Sequence, residues 1–175
     1  KQQDLAKKMS DDIEEMERML NEYLEFSRNQ KSEDTETINV NDLIADIIKK
    51  YNNKQININC ENNIKINARQ NSIKRCLINL IDNGLSYGKK VEIFTKKTIS
   101  DAIILIDDNG PGIPKEEYQN VMKPFYRIDK SRGQNKSGVG LGLSIANDIV
   151  RSHGGNISLD KSPSNGLRVK ISLPL

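Results

Sequence analysis

Tryptophan is absent from these 175 residues, and histidine occurs once. Nowhere do about 18 apolar residues run together, and no basic-then-apolar leader opens the chain. The sequence therefore offers neither a membrane-spanning segment nor a secretory signal. Cysteine is scarce as well. Cys60 and Cys76 lie in apolar contexts without Cys-x-x-Cys spacing, and they read as reduced core thiols of a cytosolic protein. An excess of one charge is also lacking. The 27 Lys and Arg against 24 Asp and Glu leave +3, too little to point to a nucleic-acid partner.

What is there is a polar but foldable mixture, 35% hydrophobic and 29% charged. It is enough for one domain with a short attachment, but not for two domains. Charge is uneven: residues 1–30 carry 5 basic and 8 acidic side chains, and the rest carries 22 and 16. An acidic segment ahead of a mildly basic body suits a domain that handles an anion, and equally suits ordinary solvated surfaces. The first 30 residues hold no Pro or Gly. Their apolar residues, Leu5, Met9, Ile13, Met16, Leu20 and Tyr23 or Leu24, recur by threes and fours, the narrow stripe of a helix that needs a partner. The sequence opens inside this charged helical pattern, so further chain is expected upstream. Residues 31–37 are polar and aperiodic and read as a linker.

From residue 38 to 175 strands and helices alternate. A short strand is predicted at 38–40, a helix over 42–51 with Asn41 as N-cap, and strands at 55–60 and 65–68. A helix over 70–87 precedes strands near 91–97 and 102–107. A stretch rich in Gly, Lys and Ser, 109–140, holds one helical turn at 116–122; a segment of that kind inside a compact domain reads as a functional lid. A helix at 141–152 and a hairpin of 157–160 with 167–173 close the chain. This pattern predicts an α+β fold, a two-layer sandwich with three helices on one face of a mixed sheet.

Three constellations carry chemistry. On the helix 70–87, at about 100° per residue, Ile73, Leu77, Leu80, Ile81 and Gly84 share one side. Asn79 and Asn83 fall together on its flank. Two stacked amides can offer carbonyl oxygens to a hard cation, or be two surface asparagines in an Asn-rich chain. Next, the apolar strand 103–106 runs into Asp107-Asp108-Asn109-Gly110-Pro111-Gly112-Ile113. Alternate glycines let backbone approach a flat ligand. A carboxylate there can accept a hydrogen bond from an exocyclic amine, with Ile106 and Ile113 as apolar walls. The alternative is a tight turn with an Asx cap. Third, Gly138, Gly140, Leu141 and Gly142 lead straight into a helix, where free N–H groups and the helix dipole favour an anion. The run is neither a Walker loop nor the dinucleotide Gly-x-Gly-x-x-Gly.

The order of these elements, with Pro124-Phe125-Tyr126-Arg127 between the second and third, resembles the sensor histidine kinases. These belong to the ATPase/kinase superfamily with the Bergerat nucleotide-binding fold, and the likeness covers nearly the whole chain. The segment Asn79-Leu80-Ile81-Asp82-Asn83-Gly84 is similar to their asparagine box, 108–112 to the first glycine box, Phe125 to the phenylalanine box and 138–143 to the second glycine box. Among subfamilies the chain looks closest to osmosensing kinases that pair with winged-helix response regulators. The resemblance implies ATP and Mg2+ as ligands. It implies that Asp108 receives the adenine amino group and that Gly110 and Gly112 form the turn beside it. Asn83 would coordinate magnesium, with Asn79 in support, and Tyr87 would lie along the adenine. Gly138, Gly140 and Gly142 would wrap the phosphates, and Arg127 would reach the γ-phosphate. Residues 126–137 resemble the lid that closes over nucleotide.

There are departures. Where many members carry Lys or Arg three residues after the magnesium Asn, this chain has Ser86, which shifts phosphate neutralisation to Arg127, Lys130 or Arg132. Asn83 is followed by Gly84 where Ala is usual. Glycine costs the helix about 1 kcal/mol and allows closer backbone packing. The histidine that accepts phosphate, expected on the first helix of a dimerisation hairpin, is missing. The single histidine, His153, sits in Ser152-His153-Gly154-Gly155, which reads as a helix stop. Residues 1–30 look like the second helix of that hairpin.

The resemblance implies transfer of the ATP γ-phosphoryl group to a histidine and relay to a response regulator receiver domain. It also implies a homodimer through the hairpin, a cytoplasmic location for these residues and a whole protein anchored in a bacterial inner membrane, with no direct membrane contact here. Two rivals remain. One is an ATPase of the same superfamily, which would carry a glutamate at position 79; Asn79 cannot act as a general base. The other is a nucleotide-binding module without transfer.

Overall fold

In the computed structural model the described residues are 7, 9–10, 13–14, 16–17, 20, 24, 33–51, 55–61, 63–128 and 140–175. The chain divides into two compact units, Lys1–Glu33 and Asp34–Leu175. In the first, every described residue from Lys7 to Leu24 is helical. Of its apolar residues, Met9, Ile13, Met16, Leu20 and Leu24 expose 44–66% of their surface.

The second unit is built on a five-stranded mixed sheet. Its strands are β2 (Gln55–Cys60), β4 (Lys90–Lys97), β5 (Asp101–Asp108), β6 (Asn156–Lys161) and β7 (Leu167–Pro174), in the order β2-β4-β5-β7-β6. β2 runs parallel to β4, and the other pairs are antiparallel. A separate antiparallel pair joins β1 (Glu36–Asn39) to β3 (Lys65–Ala68). The three helices are α1 (Val40–Ile48), α2 (Gln70–Tyr87) and α3 (Gly142–Ser152).

Period-two alternation sets which sheet face is covered. Val91, Ile93 and Thr95 on β4 are buried, as are Ala102, Ile104, Ile106 and Asp108 on β5 and Leu167, Val169, Ile171 and Leu173 on β7. α2 packs on β4 and β5, α3 on β6 and β7, and the two helices pack on each other. The contact face of α2 is Ile73, Cys76, Leu77, Leu80, Ile81 and Gly84. The predicted α+β arrangement is the one observed.

One expectation is corrected. The cap of α1 is Asn39, whose Oδ1 accepts the Asn41 N–H at 3.0 Å, and the helix starts at Val40. Val40 is fully buried, and its N–H donates to the Ile64 carbonyl at 2.9 Å, so burial pulls the helix start two residues earlier than polarity suggests. Asn41 instead uses its side-chain amide to hold the Glu61 carbonyl and to accept from Thr95 Oγ1. The turn predicted at 116–122 is a short 3-10 helix, Lys115–Glu117, continued by turns through 122. Cys60 and Cys76 are both free. Burial pushes the Cys76 thiol up to about 12, which makes it inert.

His153 is built into the structure. Its Nδ1 lies 2.7 Å from the Ile149 carbonyl, and Nε2 accepts the Arg69 N–H at 3.1 Å. That fixes the neutral tautomer protonated on Nδ1 and ties the end of α3 to the start of α2.

Candidate nucleotide site

Asp108, 7% exposed, ends β5 on the helix side of the sheet. Its Oδ1 accepts two backbone N–H groups, from Gly110 at 2.7 Å and Leu167 at 3.1 Å. Among the described residues no hydrogen bond engages Oδ2, so the carboxylate is held on one oxygen with the other left for a donor. Burial raises the Asp108 carboxyl above the usual range, the Gly110 and Leu167 N–H groups pull it back, and neighbouring Asp107 adds a smaller upward push. Asp107 points to the opposite face. There Arg168 clamps it through Nε and a terminal nitrogen at 2.7 and 2.6 Å, so the two adjacent acids have separate partners.

The other sequence-predicted residues lie on α2, at the start of α3 and on the connection between β5 and α3. From α2, Gly84 passes so close that a Cβ there would lie 2.9 Å from Val91 Cγ2 and 3.5 Å from Asp108 Cβ. The close packing expected of Gly84 is therefore present, and it brings the helix turn bearing Asn83 beside the acid. At the end of the same helix the Tyr87 backbone lies against Gly110, where a Cβ would sit 3.0 Å from it. The Tyr87 side chain is 45% exposed. Asn109 Oδ1 accepts the N–H groups of Lys89 and Lys90 at 2.8 and 2.9 Å, joining the segment after α2 to the turn after β5.

From α3, Gly142 faces α2: a Cβ there would be 3.8 Å from the Asn79 carbonyl. Among the described residues no side chain caps this helix; its N-cap position is Leu141, buried at 2%. The Asn79 side-chain nitrogen is buried and has no hydrogen-bond partner among the described residues. An uncapped helix start beside an unsatisfied amide donor is an arrangement that an anionic group completes.

From the long connection, Phe125 N–H donates to the Gly140 carbonyl at 3.0 Å. Gly140 has φ +75° and Phe125 φ +63°. The Phe125 side chain is 54% exposed, and Tyr126 Oη donates to Glu117 Oε2 at 2.6 Å. Arg127 and Ile113 are half-buried. Gly138, Lys130 and Arg132 lie outside the described residues, as does most of the 126–137 segment.

Two supporting residues were not anticipated. Ser162 Oγ donates to the Asp108 main-chain carbonyl at 2.6 Å and accepts the Gly166 N–H at 2.9 Å. A Cβ at Gly166 would overlap Asp108. Nothing local marks them, since a Ser and a Gly in a polar hairpin turn read as turn formers. Only the pairing of β7 with β5 brings that turn to the acid.

Among the described residues no group of three or more His, Cys, Asp or Glu could hold a metal. The donor set offers carboxamides instead. That suits a magnesium ion carried in with phosphate oxygens and its own waters, not a protein-caged one.

Comparison with known proteins agrees with this geometry. Residues 68–175 match the family described as histidine kinase-, DNA gyrase B- and HSP90-like ATPase. The sensor histidine kinase GtrS of Pseudomonas aeruginosa is 30% identical over 97% of this chain and 36% of its own length. The histidine-protein kinase ArlS of Staphylococcus aureus is 32% identical over 95% of this chain and 40% of its own. The chain thus spans well under half of these relatives. Among solved structures, the catalytic domain of histidine kinase ThkA superposes with a TM-score of 0.70 at 26% identity, covering 81% of this chain and 95% of that one. The family match and the sensor-kinase relatives agree: the chain belongs to the histidine kinase-, DNA gyrase B- and HSP90-like ATPase family, as a relative of the sensor histidine kinases.

Proposed function

We propose that this chain binds Mg2+-ATP and donates the γ-phosphoryl group to a histidine on the first helix of a dimerisation hairpin, for relay to an aspartate on a response regulator receiver domain. In this reading residues 1–30 are the second helix of that hairpin and mediate a homodimer. Residues 31–37 are a linker, 38–175 form the catalytic domain, and the whole protein is anchored in a bacterial inner membrane.

The observation that carries the reading is the state of Asp108, with one oxygen fixed by two backbone N–H groups and the other unengaged. Such a carboxylate accepts the amino group of adenine, and the Gly110–Gly112 turn lets the ring approach the backbone. Tyr87 and Ile113 flank the base. Asn83 holds the magnesium, which neutralises and orients the phosphates when bound. The buried Asn79 nitrogen donates to a phosphate oxygen, and the start of α3 at Leu141 and Gly142 offers N–H groups to the same anion. Gly138 and Gly140 line the phosphates, while Phe125 anchors the segment from which Arg127 reaches the γ-phosphate. Catalysis is positioning and charge neutralisation for an in-line displacement. No residue of this chain takes the phosphoryl group.

The test supplies γ-labelled Mg2+-ATP together with a separately made two-helix hairpin bearing the acceptor histidine. Acid-labile label on the hairpin supports the reading. Free phosphate with an unlabelled hairpin would move the assignment to an ATPase.

A further inference from the structure

We propose that the turn joining β6 to β7, acting through Ser162, is the positioning element that sets Asp108 for the base amino group, so that base selectivity depends on a residue that touches no nucleotide. The proposal rests on the reading of Asp108 as the adenine acceptor. It adds a determinant outside every motif of the sequence.

The turn grips Asp108 at both of its polar ends. Ser162, 3% exposed, donates from Oγ to the Asp108 main-chain carbonyl at 2.6 Å. The same oxygen accepts the Gly166 N–H at 2.9 Å, and the next N–H, of Leu167, reaches Asp108 Oδ1 at 3.1 Å. Ser162 N–H closes the turn onto the Gly166 carbonyl at 2.9 Å, and Asn165 N–H donates to the Ser162 carbonyl at 3.0 Å. The turn also backs the glycine turn itself. At Gly112, φ +73°, a Cβ would meet the Asn165 carbonyl at 3.2 Å and that of Gly166 at 3.4 Å. Asp108 and Gly112, the two ends of the base-binding segment, thus rest on one five-residue turn whose centre is a buried hydroxyl.

Removing that hydroxyl leaves the Gly166 N–H and the Asp108 carbonyl buried without partners. The turn then relaxes, and the Leu167 N–H no longer fixes Oδ1. The carboxylate keeps its charge but loses its orientation, which weakens the contact to the amino group more than it weakens the phosphate contacts.

A ligand-by-variant cycle reads this directly. ATP and purine riboside triphosphate, which lacks the 6-amino group, are titrated calorimetrically into the whole chain and into Ser162→Ala, both checked for folding by circular dichroism. A site built to hydrogen-bond the amino group prefers ATP by at least about tenfold, and in Ser162→Ala that preference falls to roughly two- to threefold, as expected when contacting groups couple. An unchanged ratio, even with both affinities lowered, overturns the proposal and leaves Ser162 a purely structural residue. Should the wild-type chain itself show no preference, the assignment of Asp108 fails first, which is a separate result. If Ser162→Ala does not fold, Ser162→Cys keeps the shape with a weaker donor; the expected ratio is intermediate, and a wild-type ratio contradicts the proposal.

Discussion

Phe125 and Gly140 meet backbone to backbone: the Phe125 N–H donates to the Gly140 carbonyl at 3.0 Å, and both residues have φ near +70°. Both residues lie in a backbone region that L side chains resist. At Phe125 the strain costs about 1–3 kcal/mol, whereas Gly140, without a Cβ, adopts this conformation freely.

Two variants separate strain from function. Gly140→Ala forces a Cβ to 3.0 Å from the Tyr126 carbonyl at positive φ, and is expected to lower unfolding free energy by about 1–3 kcal/mol. Phe125→Gly removes a half-exposed ring and relieves the backbone, so stability is expected to hold or rise by up to about 1 kcal/mol. Urea denaturation measures both.

At Gly84 an added methyl would meet the stiff side chain of Val91 at 2.9 Å. Gly84→Ala is expected to destabilise by about 1–3 kcal/mol through overpacking, despite its better helix propensity. Combined with Val91→Ala, which makes room, the loss is expected to be smaller than the sum of the two single effects by about 0.5 kcal/mol or more. A denaturation cycle over the four proteins provides the number.

Asp108 yields a pH prediction with a definite sign. Its carboxyl is raised in the folded protein, so the folded state binds more protons than the unfolded one between the ordinary Asp range and the raised value. This group's contribution to stability therefore falls as pH rises through that window and stays low above it. Asp108→Asn keeps the Oδ1 acceptor for Gly110 and Leu167 and removes the buried charge. The ligand-free variant is expected to melt higher at neutral pH, yet to bind ATP about 100-fold more weakly because an amide N–H2 faces the base amino group. Wild-type ATP affinity is expected to drop on acidification through the same window. Thermal melts and calorimetry across pH check both.

His153 bridges the Ile149 carbonyl and the Arg69 N–H. His153→Ala is expected to cost about 1–3 kcal/mol from the Arg69 N–H it leaves unpaired, while label transfer per folded molecule stays intact. Loss of transfer in a fully folded His153→Ala protein would contradict its structural role.

Much of this was legible in the sequence because the informative residues are local. The Asn79–Asn83 spacing, the Asp108–Gly112 turn and the glycines before α3 each sit within one element, and the apolar run 103–106 marked β5. What escaped was non-local. Asn41 looked like the cap because it is polar and precedes Asp42, but the burial of Val40 against Ile64 decides the helix start. The parallel pairing of β2 with β4 and the split of β1 and β3 into their own sheet leave no trace in either strand alone. Ser162 and Gly166 acquire meaning only when β7 lies beside β5.

The most direct test of the account is a calorimetric titration of ATP into the chain, with magnesium and with a chelator, in wild type, Asp108→Ala and Asn83→Ala. The account predicts binding in wild type that is lost by about 100-fold in Asp108→Ala with or without the metal, and that in Asn83→Ala falls to the level wild type shows in chelator. Equal binding in all three proteins would contradict it.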